Sequence, residues 1–319
     1  MSCLKNAESK KEHSPSRRSF IKTAMLGTAG ISLLANSCSK NSETRQRKEW
    51  PGTMEMREKT FEELLSDIYI VPGAWRPHCP YEHIAWVKPP WMTRDYIWLD
   101  FPEAIFSSQG LLYLSHFSPS HPQAYPDEPK VPWNVNSYGI SFERTLPNNI
   151  TFGGSLKKAD KTTVDLTLYI HNGSQKDLRN ILLQTCAFLR HSKEFSEFTA
   201  DNKFVHLPEH GWTSFPKAQE MKLENGKYLL GWRSGPKSAD LPVMVTKARP
   251  EVPGAPETNH MTALTWEEHT YSLITNPNHP CMHADPFFPD LEPGQSAEIH
   301  GRLIFYKGTI EELEKKYFS

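Results

Sequence analysis

Imidazole, thiol and carboxylate side chains crowd one short stretch, Asn278-His279-Pro280-Cys281-Met282-His283-Ala284-Asp285-Pro286. All three groups ligate transition metals, and His279, His283 and Asp285 are the candidate ligands for a divalent ion. Spacing limits what they can share. An extended chain holds His279 and His283 about 13 Å apart, too far for one ion. Pro280 opposes the helix that would bring them together, so a tight turn is needed to make both of them ligands. His283 and Asp285 are easier partners, two apart and on one face of an extended chain. They suit a metal pair, or a histidine oriented by a carboxylate for general-base work. The same stretch also reads as a loop held by side-chain hydrogen bonds and a disulfide.

Thirteen of the fourteen histidines lie beyond residue 37, and two further groups of them carry acid–base potential. One is His78-Cys79-Pro80-Tyr81-Glu82-His83, followed by Trp86, Trp91 and Trp98. The other runs from Tyr113 through Ser115 and His116 to His121. Glu103 sits where an expected strand meets Pro102. His83, Glu103, His116 and His283 are therefore the candidate proton-transfer residues. Trp86, Trp91 and Trp212 could stack on sugar rings, and Arg233 suits a carboxylate-bearing sugar. Each Trp also reads as core filling, and His116 as a histidine satisfied on the core side of its strand.

Several chemistries lack their signatures. There is no Gly-x-Ser-x-Gly elbow, no phosphate-binding P-loop, no His-Glu-x-x-His pattern and no Gly-rich dinucleotide fingerprint. Setting aside residues 1–37 removes six basic and two acidic residues from 36 and 37, leaving a formal charge of −5. With no basic stripe, the chain has no electrostatic footprint for nucleic acid. Cys186 lies in an apolar run and is expected to be a buried thiol. Cys79 and Cys281, each beside proline and histidine, would form a disulfide in an oxidising compartment.

The elements that must position these groups are mostly strands. Residues 163–170 alternate polar and apolar as a half-buried strand does, and Asn172-Gly173 follows as a hairpin signal. A second strand is expected at 180–190. Others are expected at 96–101, 111–117, 138–144, 228–232, 243–246, 261–267 and 298–306, punctuated by 26 prolines. Helices are expected at 58–68 and 309–317, the latter with Glu311 and Glu312 in its first turn. The pattern predicts an all-β fold, a large antiparallel β-sandwich with short terminal helices, in one domain over 50–319. Residues 164–189, VDLTLYIHNGSQKDLRNILLQTCAFL, resemble the paired strands of galactose mutarotase-like β-supersandwiches, as they do those of immunoglobulin-like sandwiches. The first resemblance implies a supersandwich that binds sugars, with epimerase, lyase or hydrolase relatives.

The N-terminus has a separate logic. Ser16-Arg17-Arg18-Ser19-Phe20-Ile21-Lys22 resembles the signal read by the twin-arginine translocase, and 23–35 is an uncharged run too short to span a bilayer. Leu34-Ala35-Asn36-Ser37-Cys38 resembles a lipobox with Cys38 as the lipidated residue, while Ala35-Asn36-Ser37 also fits ordinary signal peptidase. Residues 38–49 carry no long apolar side chain and read as a solvated linker. These features predict a periplasmic or surface protein that meets the membrane only through a lipid anchor. Its expected role is that of a carbohydrate-active enzyme, or of a non-catalytic lipoprotein that binds glycan.

Overall fold

The computed structural model describes residues 61–74, 82–91, 93–116, 124–125, 131–249, 258–276 and 279–319. The leader, Cys38, the linker, Cys79 and His121 lie outside these. A short helix α1 (Phe61–Leu65) stands in the expected first helical segment. The chain then alternates between two sheets. The first receives β1 (Tyr69–Gly73), β2 (Ile84–Lys88), β3 (Ile97–Ser107) and β4 (Gly110–Leu114). The second receives β5 (Asn134–Val135), β6 (Gly139–Thr145), β7 (Ile150–Lys158) and β8 (Thr163–Asn172). β9 (Ile181–Phe188) returns to the first, and β10 (Lys203–Leu207) and β11 (Gly211–Ser214) belong to the second. A helix α2 (Phe215–Met221) leads to β12 (Tyr228–Leu230) and β13 (Lys237–Ala239) in the first sheet. β14 (Val243–Lys247) and β15 (His260–Thr265) join the second, β16 (Thr270–Asn276) and β17 (His279–Phe288) the first. β18 (Ser296–Lys307) closes the second before α3 (Ile310–Tyr317).

Each sheet has nine strands, ordered β1-β2-β3-β9-β17-β16-β12-β13 with β4 beside β3, and β11-β10-β14-β15-β18-β8-β7-β6-β5. Every pairing described is antiparallel except β12 with β16. This is the expected all-β sandwich. Val164, Leu166, Leu168 and Ile170 of β8 face the core, where they meet Leu183 and Ala187 of β9 and Met282 and Ala284 of β17. The outward face of the second sheet is closed by α3, whose Ile310 and Leu313 cover Val243, Val245, Met261, Ala263 and Ile304. Thr309 caps that helix. Its hydroxyl accepts from the Glu312 N–H, and the Glu312 carboxylate accepts from the Thr309 N–H. Among the described residues no helix is long and apolar enough to cross a membrane.

The expected hairpin at Asn172-Gly173 is not one. β8 pairs with β7 and β18, whereas β9 pairs with β3 and β17, so the two strands lie in different sheets. The buried Asn172 side chain explains the detour. Its amide donates to the carbonyls of Lys176 and Leu291 (2.9 and 3.0 Å) and its oxygen accepts from Ser174. That network turns the chain across the sandwich edge instead of back along β8.

Lys203, at the start of β10, is wholly buried. Its ammonium donates to the Glu197 carbonyl (3.1 Å) and to Asn202 Oδ1 (3.2 Å). Burial pulls its pKa down to about 8, against the pull of Cys281, Glu197 and Asp201 and together with Arg249. From about pH 8 to 10.5 the unfolded chain binds a proton that the folded chain does not, so stability rises with pH there. Below pH 8 the charged form costs about 3 kcal/mol. Wild type should therefore gain stability in urea between pH 7.5 and 9.5, and Lys203→Met should lose most of that slope. Equal slopes in the two proteins would refute the assignment.

Candidate active site

On β17, Met282, Ala284 and Phe288 enter the core. Alternation therefore turns His279, Cys281, His283 and Asp285 to the opposite face, away from the second sheet. β9 adds Cys186, directly opposite His283, and β3 adds Asp100, directly opposite Cys186. Beyond Asp100 the register shifts, because Asp100 pairs with Cys186 but Ala104 with Gln184. Four steps on β3 thus match two on β9. This bulge, which contains the cis Phe101–Pro102 bond, brings Glu103 onto the same face. Beneath it Gly154 lets the sheets approach closely, since a Cβ there would lie 2.6 Å from the Phe101 ring. The chain after β4 contributes Ser115 and His116, the Ser115 N–H donating to the Glu103 carbonyl at 2.8 Å.

The Glu103 carboxylate sits between two imidazoles. Oε1 is 3.7 Å from His116 Nδ1, and Oε2 is 4.0 Å from His283 Nδ1. His283 Nδ1 also meets Asp285 Oδ1 at 3.3 Å. The Ser115 hydroxyl donates to Asp100 Oδ2 at 2.6 Å. Access falls across the group: the His116 side chain is 32% exposed, Glu103 16% and His283 8%. Burial opposes the charged form of His283, yet Cys281 and Asp285 outweigh it and raise its pKa well above the ordinary imidazole value. For Asp285 burial disfavours the charged carboxylate and so raises its pKa, against the pull of His283. The two thiols are shifted in opposite directions. A hydrogen bond with Cys281 and burial hold Cys186 protonated, while the same hydrogen bond and the facing His283 pull Cys281 down.

Among the described residues, two groups bring ligand atoms close enough to surround an ion, with all atoms in each group within 4.8 Å of one another: Cys186, Cys281 and His283, and Asp100, Glu103 and His116. The expected set of His279, His283 and Asp285 is not gathered in this way. β17 runs on as one strand, although its register with β16 shifts between His279 and His283, and His279 Nε2 instead meets the Asn276 amide at 3.0 Å. Cys281, expected in a disulfide, is a free buried thiol beside Cys186.

Of the four candidate proton-transfer residues, Glu103, His116 and His283 meet, and His83 does not join them. Its ring stacks on Phe142 of the second sheet, centroids 3.9 Å apart, with Trp133 edge-on. The candidate sugar contacts scatter. Trp86 lies on the outward face opposite Trp98, which in turn stacks on His191 at 3.9 Å. Trp91 stacks on His260 and donates to Glu194, and Trp212 donates to Glu314 of α3; both serve packing. Arg233 lies over the Phe106 ring, 4.5 Å from its centroid. A cleft of about 520 Å³ opens further along the strands, lined by Leu182, Lys227, Tyr228, Tyr271 and Phe287. Phe287 is two residues past Asp285, so cleft and polar group adjoin along β17.

The site rests on a pin between the sheets. Trp266 is fully buried and stacks on Phe101. Its indole N–H donates to the Thr185 hydroxyl (3.0 Å), which donates to the Ala284 carbonyl (2.8 Å). The Thr185 N–H donates to Asp285 Oδ1 at 3.2 Å. Asp100 is a site residue that the sequence did not single out, while Ser115 and Trp98 were named only as neighbours of candidate residues, Cys186 as a buried thiol and Cys281 as half of a disulfide. The alternation His-x-Cys-x-His-x-Asp over 279–285 was the available signal for one of them, Cys281.

No protein-family model matches the chain, and no curated protein matches it. Among solved structures it is similar to a GalM/aldose epimerase homologue from C. elegans, at 10% identity and a TM-score of 0.34, over 76% of this chain and all of that one. It is also similar to a galactose 1-epimerase from Lactobacillus acidophilus, at 8% identity and a TM-score of 0.29, over 76% of this chain and 99% of that one.

Proposed function

We propose that the protein is a carbohydrate-active enzyme of epimerase, lyase or hydrolase type, with Glu103 and His116 as its acid–base pair. The observation that carries this reading is the Glu103 carboxylate lying between the His116 and His283 imidazoles, one oxygen to each. A carboxylate in contact with an imidazole can pass a proton in either direction, and His116 is open enough for a substrate to reach. The outward Trp86–Trp98–His191 stack supports a sugar as that substrate, since sugar rings present apolar faces to aromatic rings. That stack would equally serve a protein that binds glycan without acting on it. The deciding experiment incubates full-length protein with a panel of sugars in D2O and follows their proton spectra. Deuterium entering at carbon, a new epimer, an unsaturated product or a cleaved linkage supports the enzyme and names its class. Bound sugar whose spectrum never changes leaves the binding protein.

This reading places the enzyme outside the cytoplasm, carried by the twin-arginine translocase and either anchored at Cys38 or released by cleavage after Ser37. Arg17→Lys with Arg18→Lys should leave unprocessed precursor in the cytoplasm. Membrane association that disappears in Cys38→Ala supports the anchor, and a soluble wild type supports simple cleavage. Export unaffected by the arginine changes would exclude the twin-arginine route.

A further inference from the structure

We propose that Cys186, Cys281 and His283 hold one zinc-class divalent cation, with Asp285 orienting the imidazole. The three ligand atoms already lie within 4.8 Å of one another. A tetrahedral ion with bonds of about 2.3 Å to sulfur and 2.0 Å to nitrogen sets its ligand atoms roughly 3.5–3.8 Å apart, so closing requires about 1 Å of side-chain movement. The residue types fit that ion. Two thiolates and an imidazole select zinc-class metals over magnesium or calcium, and two thiolates neutralise a dication where an unpaired charge would be costly. Cys186, Cys281 and His283 are all buried.

A disulfide is the competing use of two neighbouring cysteines, and the register opposes it. Cys186 stands opposite His283 and Cys281 opposite Phe188, so the cysteines are diagonal across adjacent antiparallel strands. Diagonal positions lie about 7–8 Å apart, beyond what a disulfide spans without backbone movement. The sulfurs can meet through an ion where they cannot meet through a bond. His283 shows the second mark of a metal ligand: its Nδ1 faces the Asp285 carboxylate at 3.3 Å, which leaves the other ring nitrogen for the ion. Binding displaces the thiol protons to solvent. Three protein ligands leave a fourth position for water or a substrate oxygen.

This inference stands apart from the sugar chemistry, and cobalt tests it. Full-length protein, stripped with a chelator and kept reduced, is titrated with Co(II) alone. The expected result is saturation at one equivalent with an intense thiolate-to-cobalt charge-transfer band, displaced by one equivalent of zinc. Cys186→Ser and Cys281→Ser should each remove about half of the band. Asp285→Asn should keep its shape while weakening binding about 10–100-fold. Glu103→Gln should leave it unchanged, which separates failure of the metal site from failure of the acid–base pair. Absence of the band in folded wild type, or a band of undiminished intensity in both serine variants, overturns the proposal. Should the variants misfold, wild-type stoichiometry and a zinc-dependent rise in Tm decide.

Discussion

Trp266→Ala is expected to lower the free energy of unfolding by about 3–5 kcal/mol, the range for removing a large aromatic side chain from a packed core. The residue is fully buried, its ring stacks on Phe101 with centroids 6.0 Å apart, and its backbone lies in the second sheet's half of the sandwich. Gly301 admits the indole, since a Cβ at that position would lie 2.8 Å from it, and with no side chain of its own it cannot fill the space left behind. Trp266→Phe keeps most of the ring but loses the N–H donated to Thr185, and should cost only about 1–2 kcal/mol. The two variants separate packing from hydrogen bonding. Urea unfolding of both, monitored by circular dichroism, is the measurement. A loss below about 1 kcal/mol for Trp266→Ala would mean that the sheets are not joined here. Because Thr185 also holds Asp285, Trp266→Phe should disturb the site more than its small stability cost suggests.

Much of the sandwich was legible because one-sided burial writes itself as alternation. Residues 163–170 show it, and all seven of the other expected strand segments outside 180–190 coincide with an observed strand. The capped terminal helix was equally readable, Thr309 and Glu312 being local chemistry. Partnering was not. Asn172-Gly173 carries a hairpin signal, but which strand β8 meets depends on Asn172 reaching Leu291, 119 residues away. No local rule contains that contact. β7 was missed because Gly153 and Gly154 break its apolar pattern, and their reason is the Tyr169 and Phe101 rings that press against them.

The site was legible in its residue types more than in its geometry. Glu103, His116 and His283 were picked singly, as polar groups beside prolines and aromatics. Their meeting follows from the β3 bulge and from the β3–β9–β17 pairing, both long-range. Residues 279–285 misled in a specific way. The stretch also read as a loop held by side-chain hydrogen bonds and a disulfide, and Pro280 counted only against a helix, yet Pro280 and Pro286 both fall on a strand. Read as a strand, the same residues place His279, Cys281, His283 and Asp285 on one face, and the partner strand supplies Cys186. His83 was chosen for its neighbours in sequence, and its stacking on Phe142 comes from the opposite sheet.

Glu103→Gln should lower kcat about 10²–10⁴-fold on whichever sugar the D2O experiment identifies, while KM changes little. Glutamine keeps the shape and can still hydrogen-bond His116 and His283, so the fold and the bound sugar should persist. It cannot take up and return a proton, which is the step assigned to Glu103. Removing the imidazole in His116→Ala should cost a comparable factor. The two groups lie 3.7 Å apart and would act as one unit, so the double variant should lose little more than the worse single one. Additive losses would mean two independent roles instead of a shared proton path. Activity within a few-fold of wild type in Glu103→Gln would remove Glu103 from the chemistry. The polar group would then be a binding surface, with its sugar contacts to be sought around Trp98 and His191.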